Sequence, residues 1–115
     1  MPKYLAQASY VGERAGLLLK EGGSSRRAAI ERLFRSVGAK IEAFYYAFGD
    51  TDLFVIADVP DNVSAAALSL IVNTAGVATT KVTVLLTPEE IDAAQGIVAH
   101  IDEMSKKASK RTKPK

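Results

Sequence analysis

Residues 40–59 hold two runs rich in aromatic and β-branched side chains, 40–48 and 53–59, parted only by Gly49-Asp50-Thr51-Asp52. Runs of that content read as strands. A polar link of only four residues joins them as an antiparallel hairpin. Two further strands flank the pair: 3–10, which alternates and carries tyrosines, and 80–86, which is rich in valine and threonine.

Helical signals fill the gaps. "GERAGLLLKEGG" carries Leu17-Leu18-Leu19 and is stopped by Gly22-Gly23, which fits a short helix with a glycine cap. Ser24 or Ser25 is then placed to cap a second helix by accepting free first-turn N–H groups. In that helix Ile30, Leu33, Phe34 and Val37 recur at i, i+3, i+4 and i+7, while Arg27, Glu31 and Arg35 line the other side, and Gly38 stops it. Pro60-Asp61-Asn62 caps a helix over 63–75 ended by Gly76. Thr87-Pro88-Glu89-Glu90 is a capping box with proline at the first helical position. It opens a last helix with Ile91, Ala94, Val98 and Ile101 on one stripe, running until the lysines take over.

The order β-α-β-β-α-β plus a C-terminal helix predicts an α+β, ferredoxin-like fold. Right-handed crossovers and the central hairpin give a four-stranded antiparallel sheet with helices on one face. A chain of 115 residues is expected to form one domain, here over 1–105, followed by a basic, flexible tail at 106–115. Apolar residues at 48% against 24% charged fit a globular rather than a disordered chain.

Composition also removes chemistries. Without cysteine there is no disulfide, thiolate metal site or cysteine nucleophile, and a single histidine rules out a histidine-rich zinc site. No metal and no cofactor is expected. No apolar stretch approaches the roughly 18 residues of a membrane span, and "MPKYLAQASY" lacks the apolar core of a signal peptide. The expectation is a soluble, bacterial-type cytoplasmic protein with no membrane partner.

The last ten residues carry six Lys/Arg and no acid, so the net charge of +2 leaves −4 on the rest. An acidic body with a basic tail is not the continuous basic face of a nucleic-acid-binding fold. The tail reads as a disordered end, a polyanion-binding arm or an extension of the last helix. As an arm it gives weak, non-specific affinity for nucleic acid without sequence readout.

Three places invite a chemical reading. Gly49-Asp50-Thr51-Asp52 holds two carboxylates, but glycine supplies a positive φ and aspartates bond their own backbone in tight turns. One such loop falls short of the oxygen set of a cation, and a wet hairpin tip does not raise a carboxylate pKa for acid–base work. These four residues are therefore expected to turn the chain. Ser24, Ser25, Arg26 and Arg27 offer an anion a helix start and two guanidinium groups. They lack the Gly-Lys-Ser/Thr ending of a nucleotide-binding loop and do not follow a strand. His100 falls on the solvated side of the last helix, beside Glu103 and Lys107.

Strand alternation sorts the sheet into two faces. Tyr4, Ala6, Ala8, Ile41, Ala43, Tyr45, Val55, Ala57, Val82 and Val84 suit the face under the helices. Leu5, Gln7, Ser9, Phe44, Tyr46, Phe48, Phe54, Ile56, Thr83 and Leu85 fall on the other. A soluble monomer rarely exposes such a patch, so a homodimer or higher oligomer is expected, unless the last helix folds back over it. Two sheets face to face leave Gln7, Ser9, Tyr46 and Thr83 as the few polar groups of an apolar site for an unknown small molecule.

"LLKEGGSSRRAAIERLFRSVGAKIEAFYYAFGDTDLFVIADVPDNVSAAAL" resembles the GYD domain family, small bacterial proteins of unknown function. The match rests on residues 20–27, the helix to Gly38, residues 43–52, and Pro60-Asp61 before an alanine-rich helix, and it covers about residues 3 to 90. The namesake Gly-x-Tyr-Asp aligns with Gly49, Asp50, Thr51 and Asp52, with Thr51 in place of the aromatic ring. The resemblance implies a ferredoxin-like fold of the dimeric α/β barrel type and an oligomer, but no activity, since fold does not fix function. The function expected is an oligomeric protein that binds a small molecule between or beside its sheets. One alternative is a cofactor-free enzyme of monooxygenase or isomerase type using its tyrosines, and another is an accessory protein whose tail binds polyanions.

Overall fold

The computed structural model describes residues 1–12, 16, 20–76 and 78–112. Its elements run β1 (Lys3–Tyr10), α1 (Gly23–Arg35), β2 (Lys40–Tyr46), β3 (Leu53–Asp58), α2 (Asn62–Thr74), β4 (Ala78–Leu85) and α3 (Pro88–Thr112). The strands form one antiparallel sheet in the order β2-β3-β1-β4, the ferredoxin-like arrangement. The expected short helix around Leu17-Leu18-Leu19 lies outside the described residues.

Two compact units divide the chain, Met1–Leu85 and Leu86–Lys115. In the first, β1 is central: Tyr4 stands opposite Ala57 of β3 and Val84 of β4, and Ala8 opposite Leu53 and Thr80. Tyr4, Ala39, Leu53, Val55, Ala57, Val59 and Ala65 form the buried core. Ile30, Phe34 and Val37 of the α1 stripe and its end pack against it, as the 3.6-residue period requires. Asp61 caps α2 by accepting the Ser64 N–H at 2.8 Å. Asn73 Oδ1 then accepts the Thr80 N–H at 3.1 Å, tying α2 to β4.

Two local expectations are corrected. No serine side chain caps α1. Gly22 takes that place at φ 84, and its carbonyl accepts the Arg26 N–H at 3.2 Å. A φ that serine disfavours starts the helix early and leaves Ser24 and Ser25 in its first turn. The second correction concerns β2, where the register shifts between Ile41 and Ala43 at a β-bulge. An extra residue reverses the in–out phase beyond it. Phe44 and Tyr46 therefore join Ile41 under the helices, opposite Val55 and Leu53, while Ala43 and Tyr45 turn to the other face. Phe48 lies past the end of β2 and is fully exposed.

In the second unit, Thr87 and Glu90 form the expected reciprocal capping box, with the Thr87 N–H donating to Glu90 Oε1 at 3.0 Å and the Glu90 N–H to Thr87 Oγ1 at 3.1 Å. α3 continues to Thr112, into the basic segment at the end of the chain. Its described side chains are all exposed, including the stripe Ile91, Ala94, Val98 and Ile101, and His100. Among the described residues no helix is long and apolar enough to cross a membrane.

Candidate functional site

Small side chains decide where the interior of the first unit stays open. The helix-facing positions of β1 read Tyr4, Ala6, Ala8 and Tyr10, so two alanines separate two tyrosines. Ala57 of β3, Ala29 of α1 and Ala65 of α2 face the same space. Methyl groups from that many elements cannot fill the gap that larger side chains would close. A cavity of about 270 Å³ remains, walled by Ile30, Leu33, Phe34, Leu53, Val55 and Leu68. At ~30 Å³ for each water-sized group, it has room for about nine.

One end of this apolar space is polar. Tyr10 Oη and Arg26 Nε both belong to its lining residues, and each is buried with no hydrogen-bond partner among the described residues. Arg26 comes from the first turn of α1; its side chain is 21% exposed, and Nη1 lies 3.6 Å from Glu21. Tyr46 stands beside both. Burial holds its phenol pKa above the ordinary value, helped by the neighbouring Tyr10 and opposed by the Arg26 charge. The Tyr46 hydroxyl donates to the Gly23 carbonyl at 2.9 Å, and its ring meets Phe44 edge-on at 5.3 Å. A Cβ at position 23 would come within 3.1 Å of that ring and press against it, so glycine eases the close approach of α1 to β2.

Gly49-Asp50-Thr51-Asp52 turns the chain, with Gly49 at φ 136, and also holds Tyr10 in place. Asp52 accepts the Tyr10 backbone N–H on Oδ2 at 2.8 Å, and its own N–H donates to the Ala8 carbonyl at 2.9 Å. Ser9 Oγ donates to the Asp50 carbonyl at 2.7 Å. The hairpin tip is thus clamped to the end of β1, next to the polar end of the cavity. Elsewhere on its lining, the Ser69 and Thr80 hydroxyls bond each other at 2.9 Å.

The residues singled out from sequence fall in three places. Gln7, Ser9 and Thr83 share the sheet face away from the helices, but the bulge puts Tyr46 on the opposite one, so the four do not meet. Arg26 turns toward the cavity, whereas Arg27 is exposed and pairs with Glu31 at 2.8 Å. Ser24 and Ser25 are exposed in the first turn of α1. Sequence reasoning missed the role of Tyr10. The signal was present in Tyr-x-Ala-x-Ala-x-Tyr, a strand pattern with small residues where a core strand carries large ones. Among the described residues no three His, Cys, Asp or Glu side chains are grouped so as to hold a metal ion.

Fold and site together define a ferredoxin-like α+β protein with an apolar cavity under its helices and a tyrosine–arginine cluster at one end. The family model of the GYD domain matches residues 4–94, and the chain belongs to that family. No curated protein and no solved structure matches it.

Proposed function

We propose that the protein binds a small, mostly apolar molecule in the cavity between its sheet and helices α1 and α2. The observation that carries this reading is the alanine-lined space itself, kept open by small residues on β1, β3, α1 and α2. Sites for small molecules are mostly apolar with a few placed polar groups, and their volumes start near 300 Å³. The raised pKa of Tyr46 argues against that phenol as a general base, because a general base works best with a pKa near the working pH.

Titration with 1-octanol, followed by methyl NMR, tests the proposal. Saturable shifts are expected at Ile30, Leu53, Val55 and Leu68. Ala8→Leu places a branched side chain in the cavity, so it should abolish those shifts while the variant melts no lower than the parent. Octanol that moves none of these methyls, or moves them equally in Ala8→Leu, would end this reading.

We also propose that the chain self-associates through the sheet face away from α1 and α2. Leu5, Gln7, Ala43, Tyr45, Phe54 and Ile56 share that face by register, with the charged Lys3, Asp58 and Lys81 also on it and Lys3 paired with Asp58 at 3.1 Å. A two-fold axis sets the uncharged stretch of such a face against its own copy. Tyr45, 71% exposed, has the most apolar surface to gain from it.

A further inference from the structure

We infer that the molecule taken by this cavity is a medium-chain carboxylate, its head held by Arg26 and Tyr10 and its tail lying along Ala8 and Ala6. This rests on the reading that the cavity binds a ligand, and goes beyond it by naming the ligand's chemistry. Buried polar atoms without partners are rare in folded chains and call for a reason. Here the two, Tyr10 Oη and Arg26 Nε, lie on residues of one cavity, and both residues act on Tyr46.

The chemistry of the pair selects the head group. Arg26 Nε–H only donates, and the Tyr10 O–H is free to donate. An amine head would meet the guanidinium charge and offer it no lone pair. A single alcohol oxygen has to serve two donors, whereas a carboxylate brings one oxygen for each, in charge-assisted bonds. Glu21 does not remove the need. It reaches Nη1 at 3.6 Å from a side chain that is 42% exposed, and leaves Nε unbonded.

Shape selects the tail. From Tyr10 to Tyr4 the strand runs about 20 Å at ~3.3 Å per residue, with Ala8 and Ala6 between the rings. A ligand headed at Tyr10 lies along that line, and the volume limits it to roughly nine or ten non-hydrogen atoms. Octanoate has that size.

The test titrates the full chain at neutral pH with octanoate, 1-octanol and octylamine by calorimetry. Octanoate should bind once per chain and at least about tenfold more tightly than either analogue, the worth of a charge-assisted hydrogen bond. Arg26→Met should reduce octanoate to the affinity of octanol while leaving octanol unchanged, and Tyr10→Phe should weaken octanoate several-fold. If Arg26→Met does not fold, the parent protein still decides. Its octanoate affinity must fall as acid protonates the ligand, while octanol affinity stays constant over the same range. Octanol or octylamine binding as tightly as octanoate, or Arg26→Met weakening all three alike, overturns the carboxylate head and leaves the cavity reading standing. If none of the three saturates, both readings fall.

Discussion

Asp52 and Tyr46 show how single side chains position the polar end of the cavity. Asp52 uses its carboxylate on the Tyr10 N–H, so Asp52→Ala leaves that donor unpaired and should cost about 1 kcal/mol in urea denaturation. Asp52→Asn keeps an acceptor oxygen and should recover most of the loss, and millimolar Mg²⁺ or Ca²⁺ should leave the melting temperature of the parent unchanged. Tyr46 gives a prediction in pH. Its phenol pKa is raised in the folded state, chiefly by burial. Its contribution is therefore complete below the ordinary tyrosine value of about 10 and is lost as pH rises through the folded value. Tyr46→Phe forfeits the bond to Gly23 but cannot ionise. It should be less stable than the parent by about 1 kcal/mol at pH 8, and the difference should close above pH 10. A gap that stays constant to pH 11 would mean that the buried phenol contributes nothing to alkaline unfolding.

Among the elements, those governed by neighbours in sequence were legible and those governed by distant contacts were not. The capping box at Thr87 and Glu90 and the Asp61 cap follow from residues three positions apart, and the hairpin from the short link between two adjacent strand runs. The bulge in β2 does not. Lys40-Ile41-Glu42-Ala43 alternates as a regular strand, and only the packing of Phe44 and Tyr46 under α1 shows where the extra residue falls. The cavity was illegible for the same reason, since it forms where alanines of four elements meet. The Asp61 cap supplies a test at this scale. The Ser64 backbone N–H holds the Asp61 carboxyl below its usual pKa. The cap's contribution is thus present above the ordinary aspartate value of about 4 and is lost as pH falls through the folded value. Asp61→Ala should lower the melting temperature by several degrees at pH 7 and by almost nothing near pH 2, as scanning calorimetry can show.

For the whole molecule, self-association is the first property to measure. Sedimentation at micromolar concentration should give at least twice the chain mass, and Tyr45→Glu should shift it toward the monomer by setting like charges across the two-fold axis. A monomeric mass for the parent ends the proposal, and an unaffected Tyr45→Glu assembly places the contact elsewhere. Deleting residues 106–115 should leave the number of associated chains unchanged, because only Ala108 in that segment is apolar. The alanine-lined cavity has a consequence in a different variable. Water fills such space when a chain unfolds, so the unfolded state occupies less volume, and hydrostatic pressure favours it in proportion to the void that is lost. This protein should therefore unfold under hydrostatic pressure more readily than its thermal stability suggests, with a volume change toward the upper part of the usual range of about 20–100 mL/mol. Ala8→Leu, which takes up part of that space, should shift the pressure midpoint upward even where its melting temperature hardly moves.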